Sequence, residues 1–169
     1  MVKPLSEEEI NASSPYKVTK NGTENSVTFY TDYGVKYLVG FDEDDTSLTF
    51  LCYQLVIVNA NKKKSPRDKK LRDTIISIVE NFFYENNEVM LYICETGDRK
   101  QAMRSRLFEY WYTHYSEKKF FTYLSSPLID EEGVVNYAAI ILRNDHPHYS
   151  YVIKEFADTI RLLSDKPKN

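Results

Sequence analysis

Glycine and cysteine are scarce in this chain, which has 5 Gly and 2 Cys among 169 residues. So few glycines leave little material for a loop that wraps a phosphate group. Neither G-x-G-x-x-G nor G-x-x-x-x-G-K-[ST] occurs in the sequence, which excludes the dinucleotide-binding and P-loop fingerprints. A chain of this length buries enough surface to fold without a disulfide or a structural metal.

Membrane-spanning and secretory features are also missing. No apolar stretch approaches the roughly 20 residues of a transmembrane helix, and the polar start lacks the apolar centre of a signal peptide. Cys52 and Cys94 each lie in an apolar, strand-like stretch, which predicts buried, reduced thiols. The sequence has no C-x-x-C pair and no cluster of cysteines and histidines, so it predicts no zinc site. We therefore expect a cytoplasmic protein that does not bind a membrane.

Tyrosine, phenylalanine and charged residues are abundant instead, with 14 Tyr, 9 Phe and 28% charged residues. The 22 Lys and Arg against 25 Asp and Glu give a net charge of −3, which disfavours nucleic acid as a partner. The length fits one domain. We expect a flexible N-terminal segment at 1–14, with a short helical turn after Ser6, and a single α+β domain at 15–166.

Hydrophobic periodicity predicts the elements of this domain. Alternating apolar residues indicate strands, and apolar residues three or four apart indicate helices. Together they predict a single mixed, largely antiparallel, twisted sheet of about seven strands with three main helices. The predicted strands are 16–20, 26–31, 35–41, 47–59, 89–95, 120–125 and 134–143. The predicted helices are 66–86, with Ser65 as its N-cap, 98–115, and a last one between Asn144 and Lys166.

Cations concentrate at the predicted starts of two helices. Between 62 and 72 they far outnumber the single acid, Asp68, and the helix at 98–115 opens with Arg99 and Lys100. Cations are mildly unfavourable at a helix N-terminus, which carries partial positive charge, unless an anion compensates them. If the strands before both helices run parallel, the two helix starts meet at one edge of the sheet.

This pattern predicts an anion-binding edge, without a metal ligand or an identified catalytic residue. A solvated basic face, partly neutralised by Asp68, Asp73 and Glu95, explains the same pattern and stays open. The expected ligand is an anionic small molecule or an acidic protein, and a homo-oligomer is left open. The candidate ligand-binding residues are Lys63, Lys64, Arg67, Lys69, Arg99, Lys100 and Arg104.

Histidine offers two weaker candidates. His146-Pro147-His148 could supply two metal ligands, but the sequence places few competent partners beside them. His114 lies on the apolar side of its predicted helix, so we expect it to be packed in the core.

One stretch carries a resemblance to a known family. LYICETGDRKQAMRSRLF, residues 91–108, resembles the signature of an uncharacterised family of Bacteroidetes proteins. The segment Ser65–Lys70 and the ending Lys166-Pro167 resemble it too. The resemblance covers most of the chain and implies no particular activity.

The predicted order of elements is similar to the later part of the GNAT acyltransferase fold. In that family the loop and helix start after the long fourth strand hold the pyrophosphate of coenzyme A, and the matching segment here is Lys62–Arg67. This sequence departs from the family: it lacks the Gly-rich loop and the early helices, and an extra helix closes the chain. The family's tyrosine would fall near Arg106–Phe108, where no tyrosine stands, so a general acid is not assigned.

The leading hypothesis is therefore a non-enzymatic binding or regulatory module that needs no cofactor. The alternative, implied by the second resemblance, is a GNAT-like N-acyltransferase that uses acetyl-CoA. A third hypothesis is a protein-interaction module that uses its tyrosines, which are enriched at interfaces.

Overall fold

The computed structural model describes residues 2–22, 25–44, 50–94, 110, 113–114, 118–129, 132–133 and 135–164. Three helices are bounded within these residues: α1 (Glu7–Ser13), α2 (Lys69–Glu85) and α3 (Tyr149–Ser164). The first four strands are β1 (Thr19–Lys20), β2 (Ser26–Tyr30), β3 (Lys36–Asp44) and β4 (Cys52–Asn59). The remaining strands are β5 (Met90–Cys94), β6 (Phe121–Ile129) and β7 (Val135–Arg143).

The seven strands form one mixed sheet in the order β1-β2-β3-β4-β5-β7-β6. The pairs β1–β2, β2–β3, β5–β7 and β6–β7 are antiparallel. Strands β4 and β5 are parallel, with Tyr53 opposite Met90 and Gln54 opposite Leu91. This confirms the predicted α+β class with a largely antiparallel sheet. No described helix is long and apolar enough to cross a membrane.

Helix α2 begins three residues later than the sequence pattern predicts. Its N-cap is Asp68, which has extended backbone angles (φ −145°, ψ 110°) and accepts a hydrogen bond from Lys70 N on its side chain. Asp is as good an N-cap as Ser. Asp68 takes this position here because it lies closer in sequence than Ser65 to Leu71, the first buried residue of the helix. Ser65 and Pro66 therefore precede the helix instead of starting it.

The chain divides into two compact units. The first consists of Met1–Asp42 and Leu55–Asn87, and the second of Glu43–Gln54 and Glu88–Asn169.

In the first unit, one face of the sheet supplies aromatic rings to a core shared with α2. The ring of Phe41 stacks on that of Phe82 with centroids 4.0 Å apart. Helix α1 is capped by Ser6, whose hydroxyl oxygen accepts a hydrogen bond from Glu9 N, and its Ile10 is buried. The segment predicted as flexible thus contains a short helix, and its flexibility stays a prediction.

In the second unit, α3 packs on one face of β5 and β7. Cys52 is fully buried in this core, which confirms the expectation for that thiol, whereas the side chain of Cys94 lies outside the described residues. The core residues are Phe50, Cys52, Val89, Leu91, Ala138, Ile140, Leu142, Val152 and Phe156.

Candidate functional site

The cations of the first predicted helix start lie on an exposed loop between β4 and α2 and in the first turn of α2. We call Lys62–Lys70 the basic segment. Five of its cationic side chains are exposed and form no ion pair within the part of the chain that the structure describes. These five are Lys62, Lys63, Lys64, Arg67 and Lys69.

Two asparagine side chains hold the start of this loop in place. Asn59 Nδ2 donates to the carbonyl oxygen of Lys63 at 2.8 Å. Asn61 Nδ2 donates to the carbonyl oxygen of Gly34 at 2.9 Å, and Asn61 Oδ1 accepts from Lys36 N at 3.1 Å. Lys62, which follows Asn61, adopts the left-handed conformation with φ 58°. This conformation is unfavourable for a residue with a Cβ. The hydrogen bonds of the two asparagine amides must therefore offset its free-energy cost to keep the loop in this shape.

The end of the basic segment is fixed by a second network. Asp68 Oδ1 accepts from Lys70 N at 2.9 Å, and Asp68 Oδ2 accepts from the hydroxyl of Tyr16 at 2.6 Å. That hydroxyl also accepts from Asp32 N at 3.2 Å. Lys70 Nζ donates to Asp32 Oδ2 at 2.9 Å. Tyr16, Asp32, Asp68 and Lys70 therefore join the helix start to two earlier parts of the chain.

These contacts shift two titrations. Burial, followed by the hydrogen bond to Asp68, raises the pKa of Tyr16 to about 12. The hydrogen bond and the charge of Asp32 raise the pKa of the exposed Lys70 ammonium above its usual value. Lys70 is thus held as a cation with an internal partner, whereas its five neighbours pair with no carboxylate of the described ranges.

The N-terminus of α2 already has its own carboxylate. Because Asp68 caps the helix, an anion held at the basic segment would rely on the side-chain cations and not on an uncapped helix end. The sequence prediction combined both contributions. This leaves the side-chain cations alone at α2, and the anion site stays a prediction.

The predicted site residues divide into two groups. Lys63, Lys64, Arg67 and Lys69 lie together in the basic segment. Arg99, Lys100 and Arg104 lie outside the described residues, so the predicted meeting of two basic helix starts stays a prediction.

Sequence reasoning missed the residues that shape the loop. Asn59 and Asn61 flank Ala60 just before the first lysine, and two side-chain amides so close to a strand end are the available signal. Tyr16 and Asp32 have no comparable signal, since they lie 52 and 38 residues from their partners.

The histidine candidates give two different outcomes. His146 Nδ1 accepts a hydrogen bond from His148 N at 3.0 Å, and burial lowers the pKa of His146. Among the described residues no group of three potential metal ligands occurs.

His114 is exposed and stacks on Tyr110 with ring centroids 4.1 Å apart, so the prediction of a core histidine is wrong.

Comparison with known proteins adds a family and no activity. The sequence model of a family of unknown function, DUF6169, matches residues 67–158, from the basic segment into α3. No curated protein matches the chain. The expectation of an uncharacterised family is thereby confirmed, while the motif and the Bacteroidetes origin stay predictions. With more than half of its length matched, the chain belongs to the family of unknown function DUF6169.

Proposed function

We propose that this protein is a binding module for an anionic small molecule, which the basic segment holds. The observation that carries the proposal is the group of five exposed cations, without carboxylate partners among the described residues, on a loop and helix start that side-chain hydrogen bonds hold in place. A phosphate-bearing ligand would relieve the repulsion among these cations and accept charge-assisted hydrogen bonds from them. An acidic segment of another protein is the second ligand class that this chemistry accommodates.

The fixed loop favours specific binding over a loose cloud of counterions. Ordering a long side chain or a loop on binding costs free energy, and the amides of Asn59 and Asn61 supply part of that order in advance. The Asp68 cap keeps Lys69 and Arg67 at a defined helix start. A flexible tail with the same charges would lack both features.

Sodium tripolyphosphate is a suitable probe because it carries charge without any other recognition group. We expect the triple variant Lys62→Ala, Lys64→Ala, Arg67→Ala to bind it at least about tenfold more weakly than the wild type by calorimetry. The charge-matched control is Lys17→Ala, Lys20→Ala, Lys154→Ala, which removes three exposed cations elsewhere. Equal losses in both variants, or no binding by the wild type, would contradict the proposal.

An acyl-CoA-dependent N-acyltransferase is the second candidate function. The observation that favours it is the order of elements, in which β4 leads through the basic segment and α2 to β5, its parallel neighbour. The resemblance to the GNAT family puts the coenzyme A pyrophosphate at this connection. The support is topological, and a fold by itself is a weak warrant for an activity.

Acetyl-CoA separates the two candidates. The transferase predicts a rise in melting temperature with acetyl-CoA well beyond that caused by tripolyphosphate, together with thiol release when amine acceptors are added. Equal stabilisation by both compounds and no thiol release would contradict the transferase. If neither compound stabilises the protein, the protein-interaction module becomes the preferred hypothesis.

A further inference from the structure

A turn between β2 and β3 lies against the basic segment. Asn61 binds the carbonyl oxygen of Gly34 in this turn, and a methyl group built on Gly34 would lie 3.3 Å from Lys63 Nζ. On the other side, Asp32 forms its ion pair with Lys70. The turn is therefore flanked by a cation of the loop and by a cation of the helix start.

The backbone of this turn is held by its own hydrogen bonds. Gly34 N donates to the carbonyl oxygen of Thr31 at 3.0 Å, and Thr31 N donates to that of Val35 at 2.9 Å. The buried hydroxyl of Thr31 accepts from Tyr33 N and from Val35 N, each at 3.2 Å. Gly34 has φ +75°, which only glycine adopts readily. The turn consequently presents residue 33 from a fixed backbone.

That residue is a tyrosine with 57% of its surface exposed. Tyr33 directly follows Asp32, the carboxylate that pairs with Lys70 at 2.9 Å. Among the described residues no ring or ammonium group stacks on Tyr33, whereas the nearby Tyr30 already has Lys36 Nζ 5.7 Å from its ring centre. An exposed aromatic ring on a rigid turn beside cations can stack on a flat aromatic group of a ligand. Little conformational entropy is lost on binding, because the turn is already ordered.

We propose that the ligand of the basic segment is a nucleoside phosphate, whose base stacks on Tyr33 while its phosphates contact the cations. This inference rests on the proposed anion-binding function and adds the chemistry of the ligand's other end. A nucleoside phosphate joins a flat aromatic ring to a polyanion within one small molecule, which matches an exposed tyrosine in a turn that lies against Lys63 at Gly34 and pairs with Lys70 through Asp32. The net charge of −3 favours a mononucleotide over an extended polynucleotide.

The experiment compares ATP with tripolyphosphate on the full chain by calorimetry. We expect ATP to bind the wild type about tenfold more tightly than tripolyphosphate does, because the stacking of one base on an aromatic ring contributes a free energy of this size. Tyr33→Ala should reduce ATP affinity to about that of tripolyphosphate and leave tripolyphosphate binding unchanged. Tyr33→Phe should retain the difference because it keeps the ring. Tyr84→Ala, which removes a tyrosine that is 79% exposed at the far end of α2, is the matched control.

The outcomes separate this inference from the function on which it rests. Equal binding of ATP and tripolyphosphate to the wild type overturns the nucleoside phosphate and leaves the anion site intact. Unchanged ATP affinity in Tyr33→Ala likewise overturns the stacking role. If neither compound binds, the anion site itself is overturned, and the nucleoside phosphate with it.

Discussion

The hydroxyl of Tyr16 joins two separate parts of the first unit. It donates to Asp68 and accepts from the backbone of Asp32, and its ring is 6% exposed. Burial and Asp68 raise its pKa to about 12 from an ordinary value of 10.0. The folded protein thus keeps the phenol neutral at pH values where an unfolded chain already ionises it.

Alkaline pH should therefore weaken the fold through this residue. Because the folded pKa is the higher one, the contribution is fully present below pH 10 and is lost as the pH rises towards about 12. Tyr16→Phe should lose about 1 kcal/mol at neutral pH with the hydrogen bond to Asp68, and then show a flatter decline above pH 10. Urea unfolding of both proteins at closely spaced pH values measures this. Parallel declines would show that other tyrosines cause the alkaline loss.

At the residue scale, the sequence predicted the charges but not their partners. Asp68 stands out as the single acid in a cationic stretch, and the sequence pattern assigns it only a neutralising charge. Its role as the N-cap could have been predicted from its type and position. Its bond to Tyr16 could not, because one sequence contains no information on which distant side chains meet.

At the scale of elements, α2 organises the N-terminal segment through polar side chains on a buried face. Asn81 Oδ1 accepts from Ser6 N at 3.0 Å, and Asn81 Nδ2 donates to Glu9 Oε2 at 2.7 Å. Asn86 Oδ1 similarly accepts from Lys3 N at 2.7 Å. These bonds fix the segment before α1 and the first turn of α1 on the longer helix.

Removing the Asn81 amide should loosen this attachment. We expect Asn81→Ala to lower the free energy of unfolding by about 1–3 kcal/mol, because Ser6 N loses its acceptor in a partly buried place. Tyr84→Ala, on an exposed position of the same helix, should change it by less than about 0.5 kcal/mol. Urea titration measures both, and limited proteolysis near residue 6 reports the attachment directly. Equal stability of the two variants would contradict this role of Asn81.

Periodicity predicts most elements but not where each one ends, and α2 begins at Lys69 instead of residue 66. The alternation of Val35, Tyr37, Val39 and Phe41 identified β3, because the core packs on one face of the sheet. The insertion of β7 between β5 and β6 was not predictable, because strand order depends on contacts far apart in sequence. The predicted helix at 98–115 is described only at Tyr110, Thr113 and His114, which are helical.

For the whole molecule, the overall charge is acidic while the proposed site is basic. With a net charge of −3, no long-range field draws anions to the protein, so attraction comes from the local cations alone. Local attraction between exposed charges is screened by salt, whose Debye length falls from about 10 Å at 0.1 M to about 3 Å at 1 M.

Tripolyphosphate binding should therefore be sensitive to salt. We expect the wild-type affinity to fall by about tenfold or more between about 50 and 500 mM NaCl, with a shallower dependence in the Lys62, Lys64, Arg67 triple variant. Calorimetry at several salt concentrations measures the slopes. An affinity independent of salt would point to a buried polar site elsewhere. The domain boundaries expected at 14 and 166, the cytoplasmic location and the state of assembly stay predictions at this scale.

The division of the chain into two units, with boundaries inside β3 and β4, has a practical consequence. The chain passes from one unit to the other three times, after Asp42, after Gln54 and after Asn87. No single cut can release either of them as an uninterrupted piece. Even the stretch shared with the family, 67–158, omits the strands β1 to β4 that complete the first unit. Shortened versions designed on the matched region alone should misfold, so ligand screens belong on the 169-residue chain.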